Sequence, residues 1–257
     1  ITNFGKAHLE GFGGVQGVIK GKSEMYDYLR SNNKKVFVNL DDSIQVEKSE
    51  GIEKITFGQK NVNTSLLIKS VTANPLVIVE FNQTQVKSHL IGLYNANNIN
   101  AAISIGNYFG ISDNEIKEAI ESYIPENNRS QLIEKNSNEI ILDAYNANPS
   151  SMKVALENFI QLDKKDKVII IGDMFELGSE SQKEHQSIVE MLEEESNLDC
   201  YFIGKDFYSN KEDYSHFKFY KSFDDFAEFL KNNPIRNKSI LIKGSRGMAL
   251  ERTLNLI

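Results

Sequence analysis

One cysteine, Cys200, stands in 257 residues, which excludes an internal disulfide and any zinc site built on cysteines and points to a reducing, cytoplasmic setting. Positive charge is short too: 29 Lys and Arg face 36 Asp and Glu, for a net charge of -7. A phosphate-backbone partner rewards clustered cations, so nucleic acid is not an expected partner. No run approaches the roughly 18 consecutive apolar residues that a membrane-spanning helix needs, so no membrane span is expected. Ile1-Thr2-Asn3-Phe4 has no initiator methionine and neither the basic nor the apolar region of a signal peptide; a chain that begins inside a larger protein is the expectation. Internal repeats and low-complexity tracts are missing as well. What remains, 40% hydrophobic and 25% charged residues, is the balance of a globular chain large enough for two modest domains.

Hydrophobic periodicity divides the chain. Val15, Val18, Ile19, Met25 and Leu29 follow the 3.6-residue period and predict a helix over 15–29. Runs rich in β-branched and aromatic residues come next, at 36–39, 54–57, 64–71, 76–81 and 86–91. With no long helix between them, their spacing predicts an antiparallel addition to a sheet. Helices return at 95–108 and, behind a Ser112-Asp113 N-cap, up to about Tyr123. Pro125-Glu126-Asn127-Asn128 reads as a linker. Beyond it, strands at 131–134, 140–144, 168–171, 200–203 and 240–243 alternate with helices at 151–162, 182–195 and 223–230, and a last helix at 248–256 closes the chain. Such alternation predicts parallel pairing through right-handed crossovers, hence a small Rossmann-like domain. Glu193-Glu194-Glu195 reads as a solvated helix end.

Two common nucleotide signatures fail. Gly21-Lys22-Ser23 ends like a phosphate loop, but G-x-x-x-x-G-K-S/T needs glycine where Gln16 stands, and the residues fall inside a predicted helix. No G-x-G-x-x-G follows a strand, which argues against a nicotinamide dehydrogenase.

Three polar strings sit at predicted strand ends, where ligands of open α/β sheets gather. In Asp143-Ala144-Tyr145-Asn146-Ala147-Asn148-Pro149-Ser150, an aspartate so placed accepts from ribose hydroxyls, and asparagines supply donors and acceptors without charge. An Asx-rich turn capping the next helix explains the same string. Gly172-Asp173-Met174-Phe175-Glu176-Leu177-Gly178 brings further carboxylates to that edge, and Lys243-Gly244-Ser245-Arg246-Gly247 offers two cations, a hydroxyl and N–H groups as an anion seat. Earlier in the chain, His8 in a loop is by ordinary expectation a hydrogen-bonded structural residue, and Lys20 and Lys22 are solvated helix lysines. Asn95, Asn97, Asn98 and Asn100 exceed what capping one helix requires; the excess suits a planar heterocycle.

Taken together the chain resembles the Mur ligase family. The resemblance rests on Thr2-Asn3-Phe4-Gly5-Lys6-Ala7-His8-Leu9-Glu10-Gly11-Phe12-Gly13, Lys22-Ser23-Glu24, Asn95 with Asn98, the string from Asp143 to Pro149, Gly172-Asp173-Met174 with Glu176-Leu177-Gly178, and Lys243-Gly244-Ser245-Arg246, spread over nearly the whole chain. It implies an α/β architecture: residues 1–125 as the later part of a P-loop-type central ATPase domain, a mixed sheet with antiparallel strands, and residues 126–257 as a Rossmann-like C-terminal domain. The UDP-binding domain, the phosphate loop and an acidic magnesium ligand are then expected upstream, and this chain alone is expected to be inactive.

The resemblance also implies ATP and Mg2+ as cofactors. D-A-Y-N-A-N-P and G-D-M-x-E-L-G are strings of the member that uses UDP-N-acetylmuramoyl-tripeptide and D-alanyl-D-alanine in peptidoglycan precursor synthesis. There ATP phosphorylates the tripeptide's terminal carboxylate and the dipeptide amine attacks the acyl phosphate. By this resemblance His8 is the metal-associated histidine and Lys22 the lysine that relatives carbamylate, both assigned to catalysis and metal. Asn95 and Asn98 fall at adenine positions, Arg129 at a phosphate contact and Asp143 at the ribose. Site chemistry adds Lys243, Ser245 and Arg246 for the dipeptide's carboxylate, with Asn146, Asn148 and Asp173 as further substrate contacts. Tyr94 departs from the pattern, since relatives place histidine there and a phenol does not copy an imidazole's acceptor. A monomer is expected. The competing functions are a non-catalytic nucleotide- or peptide-binding module and a sibling ligase with a different amino-acid substrate.

Overall fold

The computed structural model describes all residues except 61, 127, 196 and 197; one linker position, Asn127, therefore lies outside the described residues. The chain forms two compact units, Ile1–Gly5 with Phe12–Ile124, and Lys6–Gly11 with Pro125–Ile257.

A single turn, α1 (Leu9–Phe12), precedes α2 (Val15–Ser31) of unit one. Gly21-Lys22-Ser23 lies in the body of α2, where Gly21 makes room for Phe12: a Cβ there would come 2.6 Å from its ring. Then follow β1 (Lys35–Asn39), α3 (Ser43–Lys48), β2 (Glu53–Gly58), β3 (Leu66–Ala73), β4 (Leu76–Phe81) and β5 (Thr84–Ile91), in the sheet order β1-β2-β3-β4-β5. The expected antiparallel addition holds only for β3, β4 and β5; β1, β2 and β3 are parallel. For β1 and β2 the reason is α3, a six-residue crossover too short to register as a period. It starts because the Asp42 carboxylate accepts from the Ile44 and Gln45 amides at 3.0 and 3.1 Å. Helices α4 (Ala96–Tyr108) and α5 (Asp113–Ser122) complete the unit. Ser112 and Glu115 form a reciprocal capping box at the start of α5. Ile99, Ile103 and Ile116 from these helices bury against Ile68, Val79 and Phe81 of the sheet.

Unit two opens with a hairpin, β6 (Gln131–Lys135) and β7 (Asn138–Asp143). Asn136 and Ser137 between them both hold positive φ, 48° and 65°, the turn that matches strand twist. Hence β6 is antiparallel to β7, and the parallel pairing expected of strands separated by helices does not extend to this pair, which has no helix between its strands. The rest alternate: α6 (Pro149–Gln161), β8 (Lys167–Gly172), α7 (Ser181–Glu193), β9 (Asp199–Ile203), α8 (Lys205–Tyr208), β10 (Lys218–Tyr220), α9 (Phe223–Asn232) and β11 (Ser239–Lys243). Their order is β10-β9-β8-β11-β7-β6, parallel from β10 to β7. Central strands β8 and β11 are near-continuous apolar runs because both faces are covered. The four-residue α8 and three-residue β10 are too short for periodicity to reveal. The expected closing helix is instead two 3-10 turns, Arg246–Met248 and Leu250–Asn255, broken by Ala249 in a left-handed conformation at φ 48°. Glu193, Glu194 and Glu195 are exposed at the end of α7. Among the described residues no helix is long and apolar enough to cross a membrane.

Candidate functional site

The chain passes from β7 to β8 while leaving a strand's width between them, and β11 later fills it. Lys243 consequently registers with Asp143 on one side and Ile171 on the other. Three polar strings far apart in sequence thus leave the sheet side by side at its C-terminal edge, the position where an open α/β sheet binds ligands.

They enclose a cavity of about 180 Å³ in unit two, lined by His8, Asn146, Asn148, Phe175, Glu176, Ser245 and Arg246 with three small residues. Ser245 ties the strings together. Its Oγ accepts from the Phe175 amide at 2.9 Å and donates to the Ala147 carbonyl at 3.4 Å, while its own amide donates to the Asp173 carbonyl at 3.2 Å. Asn148 caps α6, accepting from the Ser151 amide at 2.9 Å. The Asx-turn reading of this string therefore holds for Asn148, which lines the cavity as well.

His8 reaches the rim because its segment is fastened down. The Lys6 amide donates to Ser150 Oγ at 2.8 Å, the Lys6 ammonium meets Glu184 at 2.6 Å, and the Glu10 amide donates to the Glu176 carbonyl at 3.1 Å. His8 Nδ1 pairs with the Glu176 carboxylate. Both residues hold left-handed backbone, φ 53° and 60°, which side chains other than glycine rarely adopt and which concentrates at functional sites. Among the described residues no three His, Cys, Asp or Glu side chains gather to hold a metal ion.

Asp143 and Lys243 form a buried ion pair. Lys243 Nζ donates to Asp143 Oδ2 at 2.5 Å and to the Asn146 carbonyl at 3.2 Å, and Asp143 Oδ1 accepts from the Ser130 amide at 3.2 Å. The lysine side chain is 2% exposed and the aspartate 13%. Asp173 is buried as well, accepting from the Asp206 and Phe207 amides at the start of α8 at 3.1 and 3.0 Å. Burial raises its pKa, with those amides acting in the opposite sense. Of the residues expected to touch substrate, Asn146, Asn148, Ser245 and Arg246 line the cavity, whereas Lys243 and Asp173 do not; their polar atoms are committed to the pairings just described. Arg129 lies with its guanidinium carbon 3.8 Å from the Tyr145 ring centroid.

In unit one, Lys22 is half-buried and donates to the Asn3 carbonyl at 3.0 Å, and burial lowers its pKa. Asn95 is buried, donating to the Ile91 carbonyl at 2.8 Å and accepting from exposed Asn98 at 3.3 Å. A separate cavity of about 280 Å³ in this unit is lined by Met25, Leu29, Phe37 and Ile105 together with Asn39 and Asn97; neither Asn95 nor Asn98 borders it.

Sequence reasoning passed over Glu176, Phe175 and Tyr145 as individual site residues. Glu176 carried a signal, being a carboxylate after a buried strand, but its left-handed backbone and its partner 168 residues away are properties of the fold.

Comparison with known proteins gives two family matches, the Mur ligase middle domain over residues 1–106 and the Mur ligase glutamate ligase domain over residues 128–246. UDP-N-acetylmuramoyl-tripeptide–D-alanyl-D-alanine ligase of Bacillus subtilis is 26% identical, covering 98% of this chain and 57% of its own length. The Rickettsia prowazekii protein of the same name is 28% identical over 99% of this chain and 60% of its own length. The chain thus spans well under two thirds of these relatives. Among solved structures, MurF from Acinetobacter baumannii superposes with a TM-score of 0.83 at 26% identity, over 99% of this chain and 58% of that one. MurF from Thermotoga maritima in complex with ADP shares the fold at a TM-score of 0.76 and 24% identity, over 99% of this chain and 60% of that one.

Proposed function

Since the chain belongs to the Mur ligase family, we propose that it works within an ATP-dependent ligase that joins D-alanyl-D-alanine to UDP-N-acetylmuramoyl-tripeptide, in the cytoplasm, for peptidoglycan precursor synthesis. The observation that carries this reading is the cavity in unit two, where the three polar strings meet at one sheet edge. The relatives that match over nearly the whole chain bear the name of this activity.

In the proposed reaction the γ-phosphoryl group of ATP passes to the tripeptide's terminal carboxylate and ADP leaves. The dipeptide amine then adds to the acyl carbon. The tetrahedral intermediate collapses, breaking the bond to the phosphate oxygen, and the amine gives up a proton as the amide forms. Anionic oxygens must approach one another throughout, so fixed cations and N–H groups are the protein's main contribution. Arg246 holds the dipeptide's carboxylate at the cavity wall, with Asn146 and Asn148 as its neutral polar lining, and Ser245, its donors spent on the Ala147 and Asp173 carbonyls, fixes the strings that frame it. Arg129 takes a phosphate. Asp143 offers a ribose hydroxyl the part of its carboxylate left exposed by Lys243 and Ser130, so Lys243 acts by fixing Asp143. Asn95 sets the amide of exposed Asn98, which meets the adenine.

Lys22 is the residue for carbamylation: that reaction needs the neutral amine, and burial shifts the lysine toward it. Bound magnesium would shield the phosphate oxygens. His8 and Glu176 offer one nitrogen and one carboxylate, short of the oxygen-rich shell this ion prefers. Among the described residues, those gathered in either unit do not by themselves make a magnesium site, and no step above runs through one.

The test uses the protein from the complete reading frame. Phosphate release that requires ATP, UDP-N-acetylmuramoyl-tripeptide and D-alanyl-D-alanine together is expected. Release supported instead by glutamate or a diamino acid on a shorter acceptor would replace this reading with a sibling ligase. No release with any acceptor would leave a binding module.

A further inference from the structure

Two cations lie over the Tyr145 ring. The guanidinium carbon of Arg129 lies 3.8 Å from its ring centroid and that of Arg246 lies 5.5 Å away. All three side chains are exposed, Tyr145 at 37%. Neither arginine forms an ion pair with a carboxylate among the described residues.

Two like charges against one side chain repel each other, and long exposed side chains lose conformational freedom when held in place. Something must offset both. The negative face of an aromatic ring attracts a guanidinium within about 6 Å of its centroid, and both distances fall inside that range. The manner of holding matters chemically. A carboxylate would fix an arginine by neutralising it, whereas a ring fixes it and leaves the full positive charge for an arriving anion. Tyr145 is itself held by the chain around it: Ala144 is buried, Asp143 is pinned by Lys243 and the Ser130 amide, and the Asn146 carbonyl accepts from Lys243.

We propose that Tyr145 is a positioning residue for two substrates at once, its ring holding Arg129 for the phosphates of ATP and Arg246 for the carboxylate of the incoming dipeptide. This rests on the ligase reading above and adds to it a shared support: affinity for nucleotide and for dipeptide falls together when the ring is removed.

The test is steady-state phosphate release by the full-length protein with wild-type, Tyr145→Leu and Tyr145→Phe forms, together with thermal unfolding of each. Tyr145→Leu is expected to raise KM for ATP and for D-alanyl-D-alanine by about fivefold each, the size of one exposed cation–π contact. The KM for UDP-N-acetylmuramoyl-tripeptide, kcat and Tm stay within error of wild type. Tyr145→Phe, which keeps a ring face, returns both KM values to within about twofold. A general structural role would lower Tm or kcat instead, and that result overturns the proposal. So does a Tyr145→Leu protein whose two KM values are unchanged, or one in which a single KM moves. Absence of dipeptide-dependent phosphate release in the wild type would overturn the ligase reading itself, an outcome distinct from all of these.

Discussion

Replacing Lys243 by methionine removes one member of a buried ion pair and leaves the other in place. At the observed 2.5 Å, Coulomb's law with an effective dielectric of about 20 gives a gross attraction of roughly 7 kcal/mol, most of which offsets the cost of taking both charges out of water. The net pair is therefore worth little, but the half-pair is expensive. Removing one partner from a buried pair typically destabilises by about 3–5 kcal/mol. Asp143 keeps the Ser130 amide and some solvent contact, so a loss of about 3 kcal/mol is expected for Lys243→Met. The double variant Asp143→Asn/Lys243→Met replaces the stranded carboxylate by a neutral amide of the same shape and should recover at least half of the loss. Because the chain forms two units, the assay must report on unit two alone. Amide hydrogen exchange resolved to peptides from β7, β8 and β11 does so, since these central strands open only when the unit does. A loss below about 1 kcal/mol in the single variant would refute the reasoning. A double variant no more stable than the single one would place the cost in lost packing instead of stranded charge.

Burial and the neighbouring Asp199 carboxylate push the Cys200 thiol up to about 12, so it should resist alkylation in the native protein at pH 8 and react on unfolding; rapid native labelling by iodoacetamide would contradict this. Asp173 has its pKa raised above the ordinary 3.8, first by burial, so the native state binds its proton more tightly than the unfolded chain does. That stabilisation is complete below the ordinary value and is lost as pH rises through the raised one. The stability of wild type relative to Asp173→Asn should therefore fall from acid toward neutral pH in urea titrations, and a rising difference would reverse the assignment. Gly204 sits at φ 124°, and a Cβ there would lie 2.2 Å from the Asp173 carboxyl; Gly204→Ala should cost more than about 2 kcal/mol by the same exchange assay, and a neutral effect would show that α8 can shift freely.

Where an element is long and its burial periodic, the sequence reads it well. Helices α2, α4, α5, α6 and α9 lie within a few residues of their expected ranges, as do all five strands expected in unit two. The errors fall on short or locally unpatterned pieces. Six residues of α3 decide whether β2 runs with or against β1, yet they contain less than two turns of periodic signal. At the C-terminus, apolar residues spaced for a helix are carried by 3-10 turns because Ala249 turns left-handed between them.

The site shows the same division between chemistry and placement. Strand-end polar strings announce a ligand edge, but which members face the ligand depends on pairings across the sheet. Lys243 and Asp143 are 100 residues apart and meet only because β11 inserts beside β7. Their mutual capture takes the lysine out of the cavity wall and leaves Arg246 as a cation of the same string that borders it. Histidine makes the point again. His8 drew attention by its motif, while His185 lies completely buried on α7. There its Nε2 accepts from the Met174 amide at 2.9 Å and its Nδ1 lies 2.7 Å from the Ser181 carbonyl. Accepting on one nitrogen and donating from the other requires the neutral ring protonated on Nδ1. A neutral imidazole of fixed tautomer thus braces the loop that carries Phe175 and Glu176 to the cavity. A mid-helix histidine gives no local sign of that duty, because the group it supports enters the same unit from another strand.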